Sequence, residues 1–256
     1  MALANIASGT FEHEHTKVFV EVGAVPIFVR LLRSPNNHVR EQAVRALGNI
    51  AGYSPPCRDL VLQAGAMPPL LKQLDWDSSL FMARNVTWAI SNFCSGIPHP
   101  DFALVRGSLP FLEHVIKIDD EAVLKYACCA LFYLSSGSSE KIQAVIDAGV
   151  CGRLVGLLQN PAPMFMAPAL RTVGNIATGS PQQVQFLVEV GCIQPLCNLL
   201  TVNDVVNNVE ILTTVLAGLK CVSFHCAAFF ISAGLPSLNS FPSIATTRLD
   251  PTGWRR

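Results

Sequence analysis

The sequence predicts an all-α fold, a solenoid of about five stacked three-helix repeats. Five glycines recur at intervals of 42 residues, each after an apolar segment: Gly23, Gly65, Gly107, Gly149 and Gly191. In four of the five units a proline follows within four residues: Pro26, Pro68, Pro110 and Pro195. This pattern is typical of a helix that ends at a left-handed glycine and is followed by a second helix that begins near a proline.

A longer helical stretch completes each unit. In the first complete unit it is predicted over residues 38–51, where apolar side chains recur at helical spacing. Three helices in about 42 residues are the signature of armadillo repeats, which stack into a right-handed superhelical solenoid. We predict repeats at about 10–52, 53–96, 97–137, 138–179 and 180–222. A remnant of a further repeat (1–9) precedes them, and an irregular tail (223–256) follows.

Composition excludes several classes of function. Half of the residues are apolar, so we expect a packed core. Because 18 basic side chains balance 18 acidic ones, we expect the protein to bind neither nucleic acid nor membranes. Nine cysteines without zinc or disulfide spacing favour a reducing compartment. Because no phosphate-binding loop or nucleophile motif is present, we expect no enzymatic activity, cofactor or metal.

Asparagine recurs near the ends of the predicted third helices, at Asn5, Asn49, Asn92 and Asn175, and Tyr133 takes the remaining position. Asparagine is a mediocre helix former, so this repetition needs a reason. Carboxamides on stacked helices about 8 to 10 Å apart could pair with an extended peptide, one amide per three peptide residues or so. Alternatively, each amide caps or bonds within its own repeat.

Trp88 stands one helical turn before Asn92. An indole ring at this position could hold the long stem of a Lys or Arg side chain through apolar contact and cation–π attraction. Together with the asparagines, this residue predicts a groove for extended basic peptides.

Several phrases resemble importin alpha (karyopherin alpha), the adaptor that binds nuclear localisation signals. Among them are "VREQAVRALGNIAG", "RNVTWAISNFC" and "PALRTVGNIATG", and the resemblance covers most of residues 1–179. It implies that basic signal peptides lie extended in the groove and pair with Asn5, Asn49 and Asn92, while Trp88 stacks on a Lys stem. It also implies that Arg171 and Asn175, with Tyr133, form the family's lesser site, and that the protein works in cytoplasm and nucleus.

The sequence also departs from the family pattern. Tryptophans of the family are replaced here by Met1, Arg45 and Cys129, and two groove aspartates by Tyr53 and Ser136. Loss of one charge-assisted hydrogen bond, about 1.5 to 3 kcal/mol, predicts binding weakened roughly tenfold to a hundredfold.

The resemblance implies importin beta as a second partner, but the sequence has no basic N-terminal run of the kind that binds it. We therefore expect that segment to be absent and the chain to be unable to complete an import cycle alone. Two alternatives stay open: an armadillo scaffold that recognises something else in the same groove, and a non-functional truncated paralogue.

Overall fold

The computed structural model describes residues 13–76, 79–160 and 163–200, together with residues 213, 217 and 218. The predicted N-terminal remnant, Asn5 and the predicted tail lie outside these residues. The repeat boundaries that fall there stay predictions.

Helices follow one another throughout the described residues. They are α1 (His13–Glu21), α2 (Val25–Leu31), α3 (Asn37–Tyr53), α4 (Pro55–Gln63), α5 (Met67–Leu71), α6 (Gln73–Trp76), α7 (Leu80–Cys94), α8 (Phe102–Val105), α9 (Leu109–Val115), α10 (Glu121–Ser135), α11 (Ser139–Asp147), α12 (Cys151–Leu157), α13 (Pro163–Ala177), α14 (Pro181–Glu189) and α15 (Ile193–Leu199). A 3₁₀ turn at Arg106–Ser108 joins α8 to α9. The predicted all-α armadillo architecture is confirmed.

In the four units whose long helix is described, two or three shorter helical segments precede that helix, called here the third helix: α3, α7, α10 and α13. The side chains of Asn36, Ser79 and Asp120 cap the first three of these helices by accepting a bond from a backbone N–H three residues on. The most extensive contacts between elements in the described residues join successive third helices. This packing makes them the spine of the solenoid.

Left-handed glycines end the first helices of most units. Gly65 has φ +76°, its N–H bonds to the Leu62 carbonyl, and the N–H of Ala66 bonds to the Val61 carbonyl. These are the two bonds of a Schellman motif. Gly23, Gly149 and Gly191 also have positive φ, as the 42-residue spacing predicts.

The expectation for Gly107 is wrong. It lies in the 3₁₀ turn at Arg106–Ser108 and does not have positive φ. Because the four-residue helix α8 passes directly through this turn into α9, the chain needs no left-handed residue there.

Polar clamps connect helices within and between units inside the apolar core. The Arg58 side chain is 1% exposed and donates to the Ser95 carbonyl, at the end of the third helix of its own unit. Gln183 donates to the Ser139 carbonyl at 2.9 Å. These bonds satisfy buried groups across the junctions, as buried polar atoms require. No helix of the described residues is long and apolar enough to cross a membrane.

Candidate peptide-binding groove

One face of the third helices is neither core nor fully exposed. Each third helix contributes two residues to this face, one turn apart and at equivalent positions. They are Arg45, Asn49, Trp88, Asn92, Cys129, Tyr133, Arg171 and Asn175. All eight residues are half-buried. We call this set the groove face; it contains every predicted site residue except Asn5.

Trp88 and Asn92 of α7 rest on two glycines of α3, and these four residues are called the first rung. A Cβ atom added to Gly48 would lie 2.4 Å from Trp88 Cζ3, so the indole packs directly on the glycine backbone. A Cβ added to Gly52 would lie 3.1 Å from Asn92 Nδ2. The absence of side chains at Gly48 and Gly52 therefore allows the Trp88 ring and the Asn92 amide to pack against α3.

The amide of Asn92 bridges two units. Its Nδ2 donates to the Gly48 carbonyl at 3.1 Å. A carboxamide carries two N–H donors and one acceptor oxygen. Within the described residues Asn92 makes no other side-chain bond, so one N–H and the Oδ1 atom remain for a ligand. That pair matches the donor and acceptor of an extended peptide backbone.

The α10–α13 junction carries a second rung of different chemistry, formed by Phe132, Ser135, Ser136, Arg171 and Asn175. The Arg171 guanidinium lies over the Phe132 ring, 5.6 Å from its centroid. Asn175 Nδ2 lies within hydrogen-bonding distance of the Phe132 carbonyl (3.1 Å), Ser135 Oγ (2.9 Å) and Ser136 Oγ (3.2 Å). Both amide hydrogens are thus directed to the preceding unit, and the acceptor oxygen alone is left for a ligand.

Tyr133 packs beside this second rung. Its ring centroid is 5.0 Å from that of Phe132, and the residue is half-buried against the core. Burial raises the pKa of the Tyr133 hydroxyl above its ordinary value. The group is therefore a neutral hydroxyl at physiological pH and could act only as a hydrogen-bonding or apolar partner.

The structure does not bring all predicted residues into one cluster. Trp88 and Asn92 form one group, and Tyr133, Arg171 and Asn175 form another. Asn49 lies at the matching position of α3, but the unit before it lies outside the described residues.

Charged residues border the groove face where α10 begins. Arg84 makes a two-pronged ion pair with Asp120, with Nε–Oδ1 at 3.1 Å and a second N–O distance of 2.6 Å. The hydrogen bond from Arg84 holds the pKa of Asp120 below its ordinary value. A depression of about 440 Å³ opens here between α7, α10 and α13, with Asp119 and Glu121 on its lining.

Sequence reasoning missed the residues that support the site. Gly48 and Gly52 stand four apart on α3, and this spacing was the available signal for a flat seat on one helix face. Phe132 had no comparable signal. In the part of the chain that the structure describes, no three His, Cys, Asp or Glu side chains converge into a metal-binding group.

Comparisons with known proteins agree with this architecture. The armadillo/beta-catenin-like repeat family matches residues 13–52, 54–95, 138–178 and 180–219. A designed armadillo repeat protein in complex with peptide (KR)4 superimposes with a TM-score of 0.74 at 30% identity, over 86% of this chain and 90% of that one.

Among curated relatives, importin subunit alpha-1b of Oryza sativa subsp. japonica is 56% identical over 202 residues, 79% of this chain and 38% of the relative. Importin subunit alpha-2 of Arabidopsis thaliana is 61% identical over 159 residues, 62% of this chain and 29% of the relative. This chain thus spans well under half of the length of these relatives. It belongs to the armadillo-repeat proteins and, among them, is a partial member of the importin alpha family.

Proposed function

We propose that this chain binds extended Lys/Arg-rich peptides along the groove face and is the cargo-binding part of a nuclear import adaptor. The first rung carries the proposal. A half-buried indole can hold a cationic stem, and the amide beside it keeps one donor and one acceptor for the peptide backbone.

Two further observations support the proposal. The designed armadillo protein of similar fold holds a (KR)4 peptide, and the curated relatives are named importin subunit alpha.

The finer parts of the proposal follow from the family. An importin alpha protein acts between cytoplasm and nucleus, and its partners are signal-bearing cargo and importin beta. We assign the groove face to cargo and place no importin beta site in the described residues. The affinity of the groove face for basic peptides is lower than the family pattern predicts, because Arg45 and Tyr53 stand where that pattern has a tryptophan and an aspartate.

A second candidate is an armadillo scaffold that recognises something other than import signals. The same two residues favour it: Arg45 repels cations, and Tyr53, 40% exposed at the end of α3, offers an aromatic contact instead of a charge.

Fluorescence anisotropy with a labelled Lys/Arg-rich peptide tests the proposal. We expect micromolar binding, weakened about five- to tenfold by Asn92→Ala, because one or two hydrogen bonds of about 1 kcal/mol are lost. Asn198→Ala, which removes an exposed amide on α15, is the matched control and should bind as the unchanged chain does. Millimolar or absent affinity, or indifference to Asn92→Ala, would favour the scaffold.

A further inference from the structure

Basic side chains gather around the Phe102 ring, where the first helices of two successive units meet. The Arg106 guanidinium carbon lies 5.9 Å from the centroid of this ring, and Lys141 Nζ of α11 lies 5.8 Å from the same centroid. His99 is in the loop between α7 and α8. Partial burial lowers the pKa of His99 below its ordinary value, and the nearby charges of Lys141 and Arg58 lower it further. We call His99, Arg106 and Lys141 the basic cluster.

Carboxylates do not neutralise the basic cluster. Among the described residues none forms an ion pair with any of its three members. The positions three and four residues from Arg106 and Lys141 carry no acid, so no pair within a helix is available. Asp101 caps the N-terminus of α8, and Glu140 is adjacent to Lys141 in α11, where consecutive residues face different directions.

Positive charges held together without a counter-ion repel each other, and this repulsion is unfavourable for the free protein. The Phe102 ring offsets part of it, because a cation near an aromatic ring is attracted to the ring. Arg106 is exposed and Lys141 is half-buried. Neither donates a side-chain hydrogen bond within the described residues. An anion placed beside them would therefore gain charge-assisted hydrogen bonds and remove the repulsion.

We propose that the basic cluster binds an anionic side chain of a partner protein, either a phosphorylated residue or a carboxylate in an acidic segment. This site goes beyond the proposed function, because it uses no residue of the groove face and its ligand has the opposite charge. A phosphate monoester carries about −1.5 to −2 charges at pH 7 and three acceptor oxygens, so it matches a cluster of several cations better than one carboxylate does.

Three labelled peptides test the proposal. They share a neutral Gly/Ser/Asn sequence and differ only at one central position, which is Ser, Glu or phosphoserine. By fluorescence anisotropy at low salt we expect the Glu peptide to bind more tightly than the Ser peptide, and the phosphoserine peptide at least threefold more tightly than the Glu peptide. The stronger of the two anionic peptides identifies the source of the anion. Equal binding of all three peptides, or no binding, overturns the inference.

Lys141→Gln and Arg106→Gln should each weaken binding of the phosphoserine peptide at least fivefold. The matched controls are Lys72→Gln and Arg33→Gln, which remove the same charges from exposed positions outside the cluster and should bind as the unchanged chain does. Equal losses in variants and controls would show a general effect of net charge and contradict a site at this cluster.

The basic peptide separates this inference from the proposed function. Lys141→Gln and Arg106→Gln should leave its affinity for the groove face unchanged, which also shows that the variants are folded. If the basic peptide binds and no anionic peptide does, the inference falls and the proposed function stands. If only the phosphoserine peptide binds, the proposed function falls and the basic cluster remains.

Nuclear magnetic resonance of the imidazole protons locates the bound anion. A nearby anion stabilises the protonated imidazole, so the pKa of His99 should rise when the phosphoserine peptide is added. His38 is the control, since its side chain is 77% exposed on α3 and its titration should not change. A peptide that binds and leaves the titration of His99 unchanged would place the anion elsewhere and overturn the inference.

Discussion

At the scale of single residues, Gly48 sets the position of the Trp88 indole ring. An alanine in place of a helical glycine ordinarily stabilises a helix by up to about 1 kcal/mol. At Gly48 the added methyl group would lie 2.4 Å from Trp88 Cζ3, far inside van der Waals contact. Overpacking of this kind costs about 1 to 3 kcal/mol, so the clash outweighs the helix propensity.

Gly48→Ala should therefore displace the indole and weaken binding of the basic peptide about tenfold, with a melting temperature that is unchanged or lower. Gly152→Ala is the control, since a methyl group there meets no atom within 4 Å and only the helix propensity acts. Anisotropy and thermal melts measure both variants. Wild-type affinity in Gly48→Ala would show that the seat of Trp88 does not matter for binding.

At the scale of elements, third helices provide the spine, and buried polar side chains connect the shorter helices to them. Arg58 of α4 reaches the Ser95 carbonyl at the end of α7 and also pairs with Asp59. A methyl group on Gly96 would come within 3.1 Å of the same guanidinium, so the left-handed glycine leaves room for the clamp. Apolar packing and this polar contact therefore both hold α4 against the end of α7.

Arg58→Ala should lower the free energy of unfolding by about 2 to 4 kcal/mol, because it opens a cavity and leaves a partly buried carbonyl without its donor. Asp59→Asn should cost at most about 1 kcal/mol, since that side chain is 41% exposed and the amide oxygen can still accept. Urea titrations of both variants give the comparison. Equal losses would mean that the exposed ion pair, and not the clamp, stabilises the junction.

At the scale of the whole molecule, buried thiols report whether successive units are packed. Burial raises the pKa of Cys94 in α7 and of Cys128 in α10 to about 12, and that of Cys151 in α12 to about 11. Only the thiolate reacts with alkylating reagents. Three pKa units above the ordinary value of 9.0 leave about a thousandfold less thiolate at pH 8.

Native protein treated with iodoacetamide at pH 8 should therefore label Cys94 and Cys128 at least about a hundredfold more slowly than the half-buried Cys57. Mass spectrometry of the labelled peptides measures the rates, and unfolding in urea should remove the difference. Uniform labelling of the native chain would contradict a packed solenoid and would support the non-functional alternative.

The sequence by itself determined the repeat length, the all-α architecture and the face on which the candidate site residues lie. These properties follow from local rules: a left-handed glycine ends a helix, and apolar residues at helical spacing define its buried side. The same rules failed at Gly107, where a 3₁₀ turn replaced the expected helix end.

Only the tertiary structure decided what the candidate site residues contact. Asn92 donates to the carbonyl of Gly48, 44 residues earlier, and Arg171 lies over the Phe132 ring of the preceding third helix. The amides of Asn92 and Asn175 both bridge successive units, which the expectation of bonds within one repeat did not include. Such contacts depend on how one unit is rotated against the next, and that rotation is set by packing across the whole interface, which no local pattern encodes.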